Sequence, residues 1–181
     1  MKLMPRHWSV FCCWGLGLLL LSGCATRAIP AGSLAAASNW SLEGKLGIVA
    51  AGHSGNLSIS WVQESDRYAI SLYGPLGISV GHISGSMEGA RLDLGDGNPQ
   101  QASSPEALAL AALGYALPVS PMRYWVRGIP APGQRFKTID DGFRQLGWDV
   151  LIRRQGVLGP LKIQLQRAEM KLLLVVKAWH Y

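Results

Sequence analysis

Cysteine is nearly missing from this chain. There are three, Cys12, Cys13 and Cys24, and the first two fall in an apolar N-terminal run. A chain that loses this run keeps Cys24 alone, which leaves no internal disulfide and no thiolate zinc cluster. Charge is sparse too, at 15% of residues, and although Lys and Arg outnumber Asp and Glu 17 to 11, the basic residues are scattered: Arg123, Arg127, Arg144, Arg153, Arg154, Lys171, Lys177. No block of like charge marks a nucleic-acid site, and most of these residues read as a solvated face. Catalytic groupings are lacking as well. His53, His82 and His180 are isolated, with neither an i, i+4 partner nor a thiol nearby in sequence. Asp140 and Asp141 precede Gly142 in the composition of a hairpin turn. The glycines of "GDGNPQ" open no helix that could cradle a phosphate, and no Gly-x-Ser-x-Gly elbow occurs. The sequence predicts no enzyme, no metal centre and no bound cofactor.

What is present begins with a leader. Lys2 and Arg6 precede an almost unbroken apolar run, Trp8 to Leu21, too short to be a comfortable membrane span, which is the layout of a secretory signal. "LSGC", Leu21 to Cys24, resembles the bacterial lipobox, in which the signal (residues 1–23) is cut off and the new N-terminal cysteine is acylated. Ala25 at the next position, not Asp, resembles the pattern that sends a lipoprotein to the outer membrane. Losing Lys2 and Arg6 lowers the formal net charge of +6 by two. "ATRAIPAGSLAAAS", Ala25 to Ser38, carries no pattern and no aromatic residue, so residues 24–39 are expected to form a lipidated tether, with the folded domain spanning 40–181.

Within that domain, alternation dominates. In "NLSISWV" Leu57, Ile59 and Trp61 face one way and Ser58 and Ser60 the other, and "YAISLY" repeats the pattern with Tyr68, Ile70 and Leu72. Turn residues recur every eight to twelve positions, the mark of an antiparallel meander. The middle differs. Ser103, Ser104, Pro105 and Glu106 combine a capping box with a first-turn proline ahead of "ALALAALGYAL", predicting a helix from Ser104 to Leu113 that stops at Gly114. Ser120 and Pro121 signal a second helix, with Met122, Trp125 and Val126 on one face. Strands resume at "FKTID", "FRQLG", "WDVLIRR", "LKIQLQR" and "KLLLVVKAW". The expected fold is mainly β with a helical insertion: a curved antiparallel sheet with short helices over its open side. A composition that is 49% hydrophobic fits either an apolar binding cavity or a rich core. "LYGPLGISV" poses a question of its own, because Leu76 stands between proline and glycine where a turn normally carries a polar residue. From the residues alone, Leu76 either faces water or folds back under its hairpin.

"NWSLEGKLGI", "ISWVQESDRYAISLYGPLG", "YWVRGIPAP", "LGWDVLI" and a last strand ending at Trp179, in that order and behind a lipobox, resemble the LolB family of outer-membrane lipoprotein receptors. The resemblance implies an unclosed half barrel with helices as a lid over a hydrophobic cavity. It implies a protein anchored in the outer membrane at Cys24 and facing the periplasm. Such a protein acts as a monomer, accepts acylated lipoproteins from the periplasmic carrier LolA and inserts them into the inner leaflet. It places membrane insertion on the loop Pro75, Leu76, Gly77, and acyl-chain contacts, by residue type, on Trp61, Leu72, Trp125 and Trp148. "RRQGVLGPLKIQ" departs from the family pattern. The alternative from another class is a lipoprotein scaffold or envelope-assembly component whose apolar groove binds a protein.

Overall fold

A computed structural model describes residues 33–50, 53–86, 88–113 and 117–181. The strands are β1 (Asn39–Ala50), β2 (His53–Glu64), β3 (Arg67–Tyr73), β4 (Ser79–Ser86), β5 (Gly89–Asp93), β6 (Gln100–Ala102), β7 (Phe136–Ile139), β8 (Gly142–Gln145), β9 (Trp148–Gln155), β10 (Pro160–Arg167) and β11 (Met170–His180). Two short helices, α1 (Pro105–Leu113) and α2 (Val119–Trp125), lie between β6 and β7. All eleven strands form one sheet in the order β6-β5-β4-β3-β2-β1-β11-β10-β9-β8-β7. The first and last strands meet in the middle of the sheet, and β6 and β7 are its two edges. The expected mainly-β fold with an unclosed antiparallel sheet is what the chain adopts. Its connectivity explains the helices: the chain must pass from one edge to the other, and α1 and α2 are that passage.

Alternation places the core. Leu42 of β1 lies opposite Trp61 of β2 and Trp179 of β11, and Trp61 lies opposite Ile70 of β3. One row across four strands therefore puts four large apolar side chains on the inner face, all of them buried. Trp40 extends the row, with its ring centroid 5.3 Å from that of Trp61 and 5.7 Å from that of Trp179. Both pairs are tilted or edge-on, the arrangement the ring quadrupoles favour. Tight hairpins fix the register. Leu146 and Gly147 (φ 52° and 78°) join β8 to β9, the two consecutive left-handed residues that the sheet's twist selects. Asp141 (φ 60°) turns β7 into β8, as "DDG" predicts.

Several expectations change in detail. "GDGNPQ" is a turn only as far as Asn98, where the Asp93 and Asp96 carboxylates accept the N–H groups of Gly95 and Asn98; Gln100 then begins the edge strand β6 against β5. Ser104 caps α1, its Oγ accepting the Ala107 N–H at 3.1 Å. Glu106 does not close a capping box. Its carboxylate reaches α2 instead, accepting the Ser120 N–H at 2.7 Å and the Ser120 hydroxyl at 3.2 Å. With that acceptor supplied from the neighbouring helix, Ser120 is not needed as a cap, and α2 starts at Val119 after Pro118. The expected stop of α1 at Gly114 lies outside the described residues. Residues 33–38, expected to belong to the tether, join the folded body: Ala36 and Ala37 donate to the Ser33 carbonyl, and Leu34 is buried in the main core.

Candidate functional site

Because α1 and α2 cross from edge to edge, the space between them and the inner face of the sheet is where this fold could hold a ligand. Leu108 of α1 packs on Ala90 and Leu92 of β5, and Trp125 of α2 lies 6.4 Å from Trp148 of β9, ring to ring. Both of these tryptophans are fully buried. Trp125 is fixed by a residue that the sequence reading passed over, Gln145. Its Oε1 accepts the Trp125 Nε1–H at 2.7 Å and the Ala131 N–H at 2.8 Å, while its amide donates to the Ala131 and Gln134 carbonyls at 2.9 and 3.1 Å. All the capacity of a buried carboxamide is used, so the site costs little and orients much. Gln63 repeats the device, accepting from Trp61 Nε1 and donating to the Ser65 and Arg67 carbonyls.

Between the helices and β2–β3 runs a narrow slot lined by Trp61, Tyr68, Pro105, Val119 and Arg123, with a free volume of about 20 Å³. That is room for about one water molecule, so at this point the helices lie close against the sheet, while beside it a cavity of about 350 Å³ opens between Trp40, Gln63, Tyr124 and Arg127. Of the four residues expected at an acyl-chain site, Trp61 lines this slot, Leu72 is half-buried against the core, and Trp125 and Trp148 are packed beneath α2. The slot also carries two buried donors, Tyr68 Oη and Arg123 Nε, that have no hydrogen-bond partner among the described residues. Burial, with a smaller contribution from Glu106, pushes the Tyr68 phenol up to about 12, so it stays a neutral donor.

The Pro75–Gly77 loop is a single 3-10 turn closed by the Gly74 N–H donating to the Ile78 carbonyl at 2.8 Å. Leu76 is 100% exposed, which rules out the folded-back position. It also holds a left-handed backbone (φ 58°, ψ 16°), and Gly77 follows with φ 76°. A leucine there bears two penalties at once, apolar exposure and a conformation that only Gly, Asn and Asp adopt readily. Ile78, Val80 and Leu94 are exposed nearby, Leu94 packing over Gly81 of β4. Such a tip has the form of a surface meant to be covered.

At the other end of the strands, Arg127 after α2 grips the base of the N-terminal segment. Its Nη1 donates to the carbonyls of Leu34, Ala35 and Ala37 at 3.2, 3.2 and 2.7 Å, and its Nε donates to Arg123 O. The guanidinium also faces the rings of Trp40 and Tyr124 at 5.7 and 5.3 Å. Burial lowers its pKa, with Tyr124 opposing the shift and Arg123 adding to it; the group remains charged. Arg127→Ala should free residues 33–37. Each lost charge-assisted bond is worth about 1.5 to 3 kcal/mol, so hydrogen exchange at the Ala36 and Ala37 amides should accelerate at least tenfold, whereas exchange in β1 should change little. Equal exchange in the two proteins would show that the turn holds itself.

Cys24 lies outside the described residues. Among those described, no helix is long and apolar enough to cross a membrane, and no cluster of three or more His, Cys, Asp or Glu side chains could hold a metal ion.

The family model described as "Outer membrane lipoprotein LolB" matches residues 38–179. Among curated proteins, the outer-membrane lipoprotein LolB of Alkalilimnicola ehrlichii is 31% identical over 187 aligned positions, covering 91% of this chain and 94% of the relative. Those of Stutzerimonas stutzeri and Pseudomonas putida are each 36% identical over 156 positions, covering 81% of this chain and 76% of the relative. With a match across nearly the whole sheet and both helices, the chain belongs to the LolB family of outer-membrane lipoproteins.

Proposed function

We propose that this protein is an outer-membrane receptor, held by acyl chains on Cys24 and facing the periplasm, which takes acylated lipoproteins from the carrier LolA and delivers them into the inner leaflet. The observation that carries the reading is the pairing of two features: an aromatic inner face spanned by short helices, and a fully exposed leucine held in a strained turn. A cargo's three acyl chains of ~16 carbons would expose on the order of 35 to 40 kcal/mol of hydrophobic free energy in water, at ~0.8 kcal/mol per methylene. They must therefore pass from one apolar enclosure to the next. Such a transfer makes and breaks no covalent bond; it calls for apolar surface and a way to open it.

In this scheme α1 and α2, joined by Glu106 and Ser120, lift to widen the slot. Trp61 and Leu72 then contact the chains, Trp125 and Trp148 form the floor, and the loop Pro75, Leu76, Gly77 touches the leaflet into which the chains leave. The receptor works as a monomer.

The test uses the anchor. Cys24→Ala should give a soluble periplasmic protein that still takes an acylated lipoprotein from loaded carrier in solution, because the slot is lined by residues of β2, β3 and the helices and not by the N-terminal segment. Mass spectrometry of the native protein should find Cys24 acylated. An unmodified Cys24 in membrane fractions would end the anchoring assignment, and failure of the folded soluble form to take cargo would end the receptor assignment.

A further inference from the structure

The loop joining β9 to β10 is unused by the function proposed above. It spans Gly156 to Gly159, closed by the Gly156 N–H donating to the Gly159 carbonyl at 3.0 Å, and its tip is apolar. Val157 is 102% exposed and Leu158 50%. Behind the tip the β9–β10 register shifts twice, so that Arg154 stands opposite Lys162 while Arg153 of β9 and Leu161 of β10 are left without a partner in the ladder. A bulge of this kind re-aims side chains, and like charges set opposite one another across strands destabilise a sheet. Arg153 is 3.6 Å from Asp141. Arg154 and Lys162, both exposed, have no ion-pair partner among the described residues.

The position of this hairpin gives it a meaning. Leu34, at the base of the N-terminal segment, packs on Gly159; a β-carbon there would collide with Leu34 and press on Trp179. Trp179 in turn donates its Nε1–H to the Pro160 carbonyl at 2.8 Å. The Val157–Leu158 tip thus stands beside the point from which the chain runs back to Cys24. Nine residue steps separate Cys24 from Ser33, a reach of at most about 30 Å even when fully extended, so this end of the body never strays far from the leaflet. The Leu76 loop leaves the sheet at the opposite end of its strands.

We propose that the β9–β10 hairpin is a second membrane-contact site, in which Val157 and Leu158 dip into the leaflet and Arg154 and Lys162 face anionic phospholipid head groups. An apolar tip with a basic collar is the chemistry by which peripheral proteins dock on a charged bilayer. The inference rests on the anchoring at Cys24 proposed above. It gives the receptor a parked contact at its tether end, distinct from the delivering contact at Leu76.

The test uses the full acylated chain. With Cys24 acylated and Cys12 and Cys13 lost with the leader, Val157→Cys offers a single free thiol for an environment-sensitive fluorophore. The labelled protein is reconstituted into vesicles of phosphatidylethanolamine with and without phosphatidylglycerol, some carrying brominated acyl chains. The expected result is a blue-shifted emission quenched by the brominated lipid. The contact should weaken about fivefold for each of Arg154→Ala and Lys162→Ala, the share expected of one basic residue near an anionic surface. It should weaken likewise when phosphatidylglycerol is omitted. Because Val157, Arg154 and Lys162 are exposed, none of these changes threatens the fold. A label that stays in water on protein that floats with the vesicles overturns the inference and leaves the receptor reading intact. Shielding that appears only when carrier is added overturns it in favour of a protein-docking surface. Protein that fails to float, with Cys24 unmodified, removes the anchoring and this inference with it.

Discussion

Gln145→Leu should lower the melting temperature by about 10 °C while leaving the strands in register. Leucine nearly matches glutamine in volume, so the change tests hydrogen bonding and not packing. It strips the Trp125 Nε1–H and the Ala131 N–H of their shared acceptor and removes the donor from two carbonyls. Each buried polar group left unpaired costs about 1 to 3 kcal/mol. Allowing for relaxation, a loss of about 4 kcal/mol is expected, and in a domain of this size about 2 to 4 °C follows each kcal/mol. Trp125→Phe removes only one of the four bonds and should cost much less. In the double variant the losses should fail to add, because Trp125 and Gln145 share one interaction. Gln145→Glu keeps the acceptor and, while protonated, one of the two donors, so it should fall between the two at low pH, and it should worsen as pH rises, because ionisation removes that donor and leaves a buried carboxylate. Additive losses at Trp125 and Gln145 would show that α2 is not seated by this carboxamide.

Gln145 also marks where the sequence was legible and where it was not. The period-two pattern was enough for the strands, and Ser104 for the start of α1, because those signals are local. Gln145 and Gln63 carried a signal that went unread: each shares parity with buried neighbours on its strand, Phe143 for the first and Ile59 and Trp61 for the second. A polar residue at an inward position must find partners, so it is a structural residue by default. Glu106 could not be placed from its own segment, since its partner Ser120 is fourteen residues away on another helix. Leu34 was hidden for a related reason. A single large apolar residue in "AGSLAAAS" makes no periodicity, and what holds it is Gly159, Trp179 and the Arg127 clamp, all distant in sequence. The narrow slot could not be read at all. Composition gives the amount of apolar surface but not how closely α1 and α2 lie on the sheet, because that is set by contacts between residues far apart in the chain.

Leu76→Glu should leave folding and cargo uptake intact and abolish delivery. The side chain is wholly exposed, so nothing in the folded state is lost, and surface substitutions of this kind usually change stability by less than about 0.5 kcal/mol. In the proposed scheme, uptake from the carrier uses the slot between the helices and β2–β3, which Leu76 does not line, and delivery uses the tip. Burying a leucine in the leaflet gains about 1.5 to 3 kcal/mol, so its loss alone should slow transfer into liposomes by one to two orders of magnitude, and the carboxylate adds repulsion from the apolar interior. Leu76→Asn sharpens the test, because asparagine tolerates the left-handed conformation that leucine occupies at a cost of roughly 1 to 2 kcal/mol. That variant should melt higher than the native protein by a few degrees and yet deliver poorly. A protein that becomes more stable as it loses function shows strain retained for a purpose. Should Leu76→Asn deliver as well as the native chain, the leucine has no part in membrane contact. Should Leu76→Glu lose uptake and delivery together, the loop belongs to the carrier's docking surface and not to the leaflet's.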